Sequence, residues 1–121
     1  MPSPRPSVTL SPSVHFHEGA GHLDVRIEGL TVGAFVIQKA SRRRLHISML
    51  IVEKRRQGVG RAAVSALLAW AREQGFLGAR LDSNDTAVGF WTKMGFTPVR
   101  TARQPGDLVP MALNFHNQLT P

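Results

Sequence analysis

A chain of 121 residues with 42% hydrophobic content holds enough apolar material for one core, and no apolar run in it reaches bilayer-spanning length. The absence of cysteine excludes a disulfide framework, a Cys-ligated zinc site and a thiol nucleophile. With 15 Lys and Arg against 8 Asp and Glu the net charge is +7, which suits a polyanionic partner, whether a phosphorylated cofactor or a nucleic acid.

Residues 1–21 read as a Pro/Ser-rich arm punctuated by Pro2, Pro4, Pro6 and Pro12, with one short strand around Val8 to Leu10, ahead of a single domain over 22–121. The first residues lack the apolar centre of a signal peptide, so a cytoplasmic protein without a membrane partner is expected. His15, His17 and His116 stand near the chain ends without the spacing of a helical ligand pair, and no metal site is expected. Alternation of apolar and polar residues over 23–27 predicts a half-buried strand, followed by a turn at Glu28, Gly29 and Leu30. Strands over 31–37 and 44–52 complete an antiparallel meander, with Arg42, Arg43 and Arg44 at the last turn.

From Val59 the apolar period changes from two to 3.6. Val59, Ala63, Ala66, Leu67 and Trp70 fall on one helical face, and Gly75 marks a stop. A strand over 79–83, parallel to the one before the helix, follows. Asn84 or Asp85 caps a second helix with Ala87, Phe90, Trp91 and Met94 inward and Gly95 at its end. Residues 96–100 and 108–115 form a closing hairpin across Gln104, Pro105, Gly106 and Asp107.

The junction of the third strand and the first helix carries the chemistry. Arg55, Arg56, Gln57, Gly58, Val59, Gly60 and Arg61 combine two glycines, which permit tight turning and close ligand approach, with guanidinium charge at a helix amino terminus. That combination is a cradle for a diphosphate. It is not a P-loop, which needs G-x-x-x-x-G-K-[ST], and the opening βαβ unit of a dinucleotide fold is missing.

Arg55-x-x-Gly58-x-Gly60 resembles the R-x-x-G-x-G loop of the GNAT superfamily of acyl-CoA N-acyltransferases. Asn84, Ala87, Phe90, Trp91, Gly95 and Phe96 resemble the later N-x-x-A-x-x-[FL]-Y-x-x-x-G-F segment, with Trp91 where many members have tyrosine. The resemblance spans roughly residues 23–115. It implies an α/β (α+β) fold with a mixed, mostly antiparallel sheet flanked by two main helices. Members begin with a strand and two helices that wall the acceptor side, and this chain has too few residues for them, so the fold is expected to be truncated at the amino terminus.

The implied activity is acetyl transfer from acetyl-CoA to a primary amine, at a protein amino terminus, a lysine or a small molecule. By carry-over, the Ser48, Met49 and Leu50 backbone pairs with the cofactor arm and acyl carbonyl, residues 55–61 hold the diphosphate, and Asn84 and Trp91 meet the cofactor. A main-chain N–H near Leu50 would stabilise the oxyanion. His46 is the expected general base, since strand parity sets it with Ser48 and Leu50 and a histidine serves at the matching place in a relative. Asp82 is the weaker candidate, and Glu53 reads as a surface carboxylate. The family tyrosine usually protonates the departing thiolate, and an indole N–H is not an acid in this range. A non-catalytic CoA-binding module, or a basic adaptor for nucleic acid or a protein, is therefore the competing class. A homodimer would be one way to complete the acceptor side.

Overall fold

The computed structural model describes residues 8–12, 21–40, 43–52, 58–100, 104 and 106–115. His15, His17, Arg42, Glu53, Arg55, Arg56, Gln57, Pro105 and His116 lie outside the described residues. In chain order the elements are strands β1 (Val8–Pro12), β2 (Gly21–Ile27), β3 (Leu30–Ala40) and β4 (Arg44–Val52), helix α1 (Val59–Glu73), strand β5 (Gly78–Ser83), a 3-10 turn (Asp85–Ala87), helix α2 (Val88–Lys93), and strands β6 (Thr97–Pro98) and β7 (Val109–Asn114). The strands form one sheet in the order β1-β2-β3-β4-β5-β7-β6.

β1 to β4 are an antiparallel meander, as the alternation predicts, and β5 runs parallel to β4. β7 is antiparallel to both β5 and β6, which makes the closing hairpin. Its connection is turned by Asp107, whose N–H donates to the Gln104 carbonyl at 3.1 Å while its Oδ2 accepts from the Gln104 N–H at 3.0 Å. β1 is already paired with β2, and residues 13–20 join the two.

Buried strand residues line up across the register on a single face: Leu23 opposes Phe35, Leu45 opposes Ala79, and Ile47 opposes Leu81, which opposes Met111. Both helices contribute to this one core. Residues alternating with these, among them Asp24, Val36, His46, Arg80 and Ala112, are exposed or half-buried. Among the described residues, no helix is long and apolar enough to cross a membrane.

α1 buries Val59, Ala63, Val64, Leu67, Leu68 and Ala71. This corrects the periodicity reading, because Ala66 and Trp70 are only half-buried. Trp70 turns aside to meet Phe76, ring centroids 6.1 Å apart, beyond the helix end. Asn84, not Asp85, supplies a side-chain cap, but to the 3-10 turn that leads into α2: its Oδ1 accepts from the Ala87 N–H at 3.0 Å and from Thr86 Oγ1 at 2.9 Å, while α2 itself starts at Ala87 without a side-chain cap. Trp91 is the buried residue of α2, while Ala87, Phe90 and Met94 are half-buried against the core.

Where β5 starts, the sheet has no room for a side chain. A Cβ at Gly78 would stand 2.5 Å from the Leu113 carbonyl oxygen and 3.4 Å from Asn114 Oδ1. Both belong to the paired strand β7, and backbone cannot yield as a flexible side-chain tip does. Gly78→Ala is expected to cost about 1–3 kcal/mol, read from the urea midpoint at unchanged m-value. An unshifted midpoint would mean that the β5–β7 approach relaxes freely.

Candidate active site

The site begins with a counting mismatch. β4 pairs with β3 as Phe35 with Leu50 and Val36 with Met49, but the next pair is Ile37 with Ile47, so Ser48 is one residue more than β3 can match. Such a bulge bends the strand and raises its twist. On the other edge of β4 the parallel pairing with β5 ends at the same level, with Ile47 opposite Leu81. Beyond that point β4 stays paired to β3 as far as Val52, and β5 stays paired to β7 as far as Ser83. The two strands therefore part while each keeps its outer neighbour.

Between them opens a cleft of about 860 Å³. Ile47, Ser48, Met49, Leu50 and Ile51 line one side, and Leu81, Asp82, Ser83 and Asn84 the other. Thr86 and Ala87 wall it from the 3-10 turn, Phe90 and Trp91 from α2, and Gly60 from α1. On the parting edges, the main-chain groups of β4 after Ile47 and of β5 after Leu81 have no strand partner in each other. An extended amide chain can use such an edge as another strand would.

The amino terminus of α1 adjoins this cleft through Gly60. Its cap residue, Gly58, has φ 84 and ψ −6, offers no side-chain acceptor, and no acidic residue occupies the first turn. The first helical N–H groups thus keep their donor capacity, and the positive end of the helix dipole has no carboxylate against it within that turn. Val59 is buried, so only its main chain is available to a ligand, whereas the Arg61 side chain is exposed. A Cβ at Gly60 would lie 3.6 Å from Phe90 Cε1, an ordinary contact, so this glycine leaves room between the helices without being sterically obligatory.

Of the residues singled out from sequence, Ser48, Met49, Leu50, Gly60, Asn84 and Trp91 come together around one cleft, and Gly58 and Val59 form the helix start beside it. Arg61 is on that first turn, while Arg55, Arg56 and Gln57 lie outside the described residues. Trp91 is buried in the core, edge-on to Phe96 at 5.5 Å and to Phe90 at 5.1 Å, and still contributes to the cleft wall.

His46 requires a correction. The bulge at Ser48 shifts the parity of β4, so Ile47 and Leu50 share the core face, and His46 shares the opposite face with Met49 rather than with Leu50. His46 is half-buried and is not among the residues lining the cleft. Asp82, the second candidate, does line it. The wall residues Asp82, Ser83, Thr86 and Phe90 were not marked as binding residues from sequence. Their signal was the spacing around Asn84, which puts a strand end and a helix start on the same cleft. Among the described residues no cluster of His, Cys, Asp and Glu could hold a metal ion.

A family model described as acetyltransferase (GNAT) family matches residues 3–96. The chain belongs to this GNAT family. Among solved structures it is similar to Ard1 from Thermoplasma volcanium, with 29% identity and TM-score 0.64 over 78% of this chain and 70% of that one. It is also similar to Arabidopsis thaliana Naa50 in complex with the bisubstrate analogue CoA-Ac-MVNAL, at 22% identity and TM-score 0.61 over 78% and 72% of the two chains. A third similar structure is a Bacillus subtilis acetyltransferase in complex with CoA, at 14% identity and TM-score 0.69 over 91% and 97%. No curated protein matches the chain in sequence. The mixed, mostly antiparallel sheet with two helices is the GNAT fold.

Gly58 is the residue on which the helix start turns. Nothing lies within 4 Å of a Cβ built there, so substitution brings strain without a clash. Gly58→Ala is expected to cost about 1–2 kcal/mol in thermal or urea unfolding, and Gly58→Asn less, because asparagine tolerates the left-handed region better. Equal costs would show that the turn does not hold this conformation in solution.

Proposed function

We propose that this GNAT-family chain is an N-acetyltransferase that uses acetyl-CoA and accepts a primary amine from a protein amino terminus, a lysine or a small molecule. The observation that carries the reading is the parting of β4 from β5 beside an uncapped helix start. An extended, amide-containing arm fits the free strand edges, and a diphosphate fits the first-turn N–H groups of α1. The CoA and CoA-analogue complexes of two fold neighbours support the same ligand class.

Acetyl-CoA would supply an activated thioester, so the protein's task is mainly to position the reactants. Ser48, Met49 and Leu50 offer the strand edge that orients the arm, and the N–H near Leu50 is the donor best suited to polarise an acyl carbonyl. Asn84 holds the turn after β5 with its Oδ1, which leaves its Nδ2–H groups for the cleft. Trp91 excludes water from one wall by its ring.

The amine must lose a proton before or during attack, and two groups flank the apex of the cleft on the open face of the sheet. His46 stands one position before Ile47 on β4, and Asp82 one position after Leu81 on β5. Imidazole is the side chain whose ordinary titration range matches neutral-pH proton transfer, directly or through one water. We assign proton removal to His46, with Asp82 orienting the ammonium.

Calorimetry with acetyl-CoA, followed by an acceptor screen for free thiol release, tests the function. Retention of the cofactor with turnover of an amine is expected. Retention without turnover would instead fit a non-catalytic CoA-binding module, a reading that the tryptophan at position 91 favours. His46→Ala is expected to lower turnover about 10²-fold near neutral pH, with acetyl-CoA affinity unchanged. An unaltered turnover rate would take His46 out of the mechanism.

A further inference from the structure

A second, smaller pocket of about 200 Å³ lies on the open face of the sheet, lined by Arg44, Arg80, Leu81, Asp82 and, from the closing hairpin, Val99 and Pro110. It shares Leu81 and Asp82 with the large cleft, so both spaces adjoin the point where β4 and β5 part. Arg80 pairs in register with His46, and Arg44 with Gly78, two positions further from the apex. Arg44 and Arg80 thus stand diagonally on neighbouring strands and open into one pocket. Two guanidinium groups in that relation repel each other. Among the described residues neither is recorded in an ion pair, and Asp82, the pocket's one carboxylate, sits at the apex end.

The charge order along the pocket is therefore one carboxylate beside the reaction point, then two guanidinium groups leading away from it. The geometry points to an acceptor that is itself dipolar: a peptide whose terminal amine meets Asp82 and whose acidic side chain, within the first three residues, meets Arg80 and Arg44. The spacing agrees. Asp82 to Arg80 is two strand residues, or ~7 Å, and the row of Arg44 lies ~7 Å further, the reach of an extended peptide from its amine to an acidic side chain at position one to three. Guanidinium is the cation best shaped to take a carboxylate with two parallel bonds. Val99, 67% exposed, adds an apolar lip at the same pocket. This inference rests on the transferase reading for its direction of approach, and on Arg44, Arg80 and Asp82 for its selectivity.

The test uses the full chain and three peptides of equal length, with glutamate, glutamine or lysine at position two, together with free glutamate as a small dicarboxylic acceptor. Each is measured as an acceptor with acetyl-CoA and, by calorimetry, as a ligand of the CoA-saturated protein. The glutamate peptide is expected to exceed the glutamine peptide about tenfold in kcat/KM and in affinity, the size of one charge-assisted contact. In Arg44→Gln/Arg80→Gln this ratio should fall close to one while acetyl-CoA affinity is retained. As a check independent of the half-buried Arg44, the exposed Arg80→Glu should move the preference to the lysine peptide. Free glutamate outcompeting the peptide would overturn the peptide assignment in favour of a small acceptor. Equal use of the glutamate and glutamine peptides, or a preference that survives both variants, would overturn the inference while leaving the transferase intact. Selective binding of the glutamate peptide without turnover of any amine would uphold the subsite and sink the transferase reading.

Discussion

One extra residue in β4 shapes everything around the cleft. Ser48 has no counterpart in β3, so β4 bends where its parallel pairing with β5 gives out. Unpaired edges inside a sheet are normally a liability, because N–H and C=O groups there seek any passing strand. Here each edge is held from behind, β4 by β3 and β5 by β7, so both remain extended and oriented without pairing with each other. An ordered but open edge is what an extended ligand needs, since the backbone entropy has already been lost in folding the sheet. α1 starts beside the same opening, so the strand edge and the helix donors are within reach of one another.

The bulge also divides the labour between the two faces of the sheet. Before it, Leu45 and Ile47 point to the core and His46 away from it; after it, Leu50 takes up the core side and Met49 and Ile51 face outward. The core side is filled by both helices, with Trp91 wedged between Phe90 and Phe96 in edge-to-face contacts. A tyrosine hydroxyl would bring a polar group to that position, whereas the indole fills it as packing and lines the cleft with an apolar wall. Core packing and a wall of the cleft are thus drawn from the same side chain, and a change at Trp91 would move both.

Much of this was legible in the residues because the signals are local. The span of β4 emerges from alternation, the stop of α1 from Gly75, the cap of the 3-10 turn leading into α2 from Asn84, and the cleft's location from two short spacings. What local reading missed has a shared cause in long-range geometry. Parity fails across Ser48 because the bulge is defined by β3, whose residues are far away in sequence. The buried face of α1 was misplaced because the helix is apolar nearly all round: Val64, Ala66, Leu68 and Trp70 each satisfy a plausible stripe, and only the position of the sheet and of Phe76 chooses among them. Asp82 gained weight only when the point of strand parting placed it at the apex of the cleft.

An acceptor at the open face of the sheet, as proposed above, would meet strand side chains. That changes what can set selectivity. Helices and their connecting loop can reshape around an acceptor, but strand side chains project from a framework with fixed register, and their spacing is that of the pleat. Arg44, Arg80, His46 and Asp82 are therefore held at repeat distances that a second extended chain would match residue for residue. A compact amine could touch one of them at a time, while a peptide laid along the face could meet several without bending. On that proposal the open face suits an acceptor that is itself extended, for the same reason that the parted edges suit an extended cofactor arm on the other side.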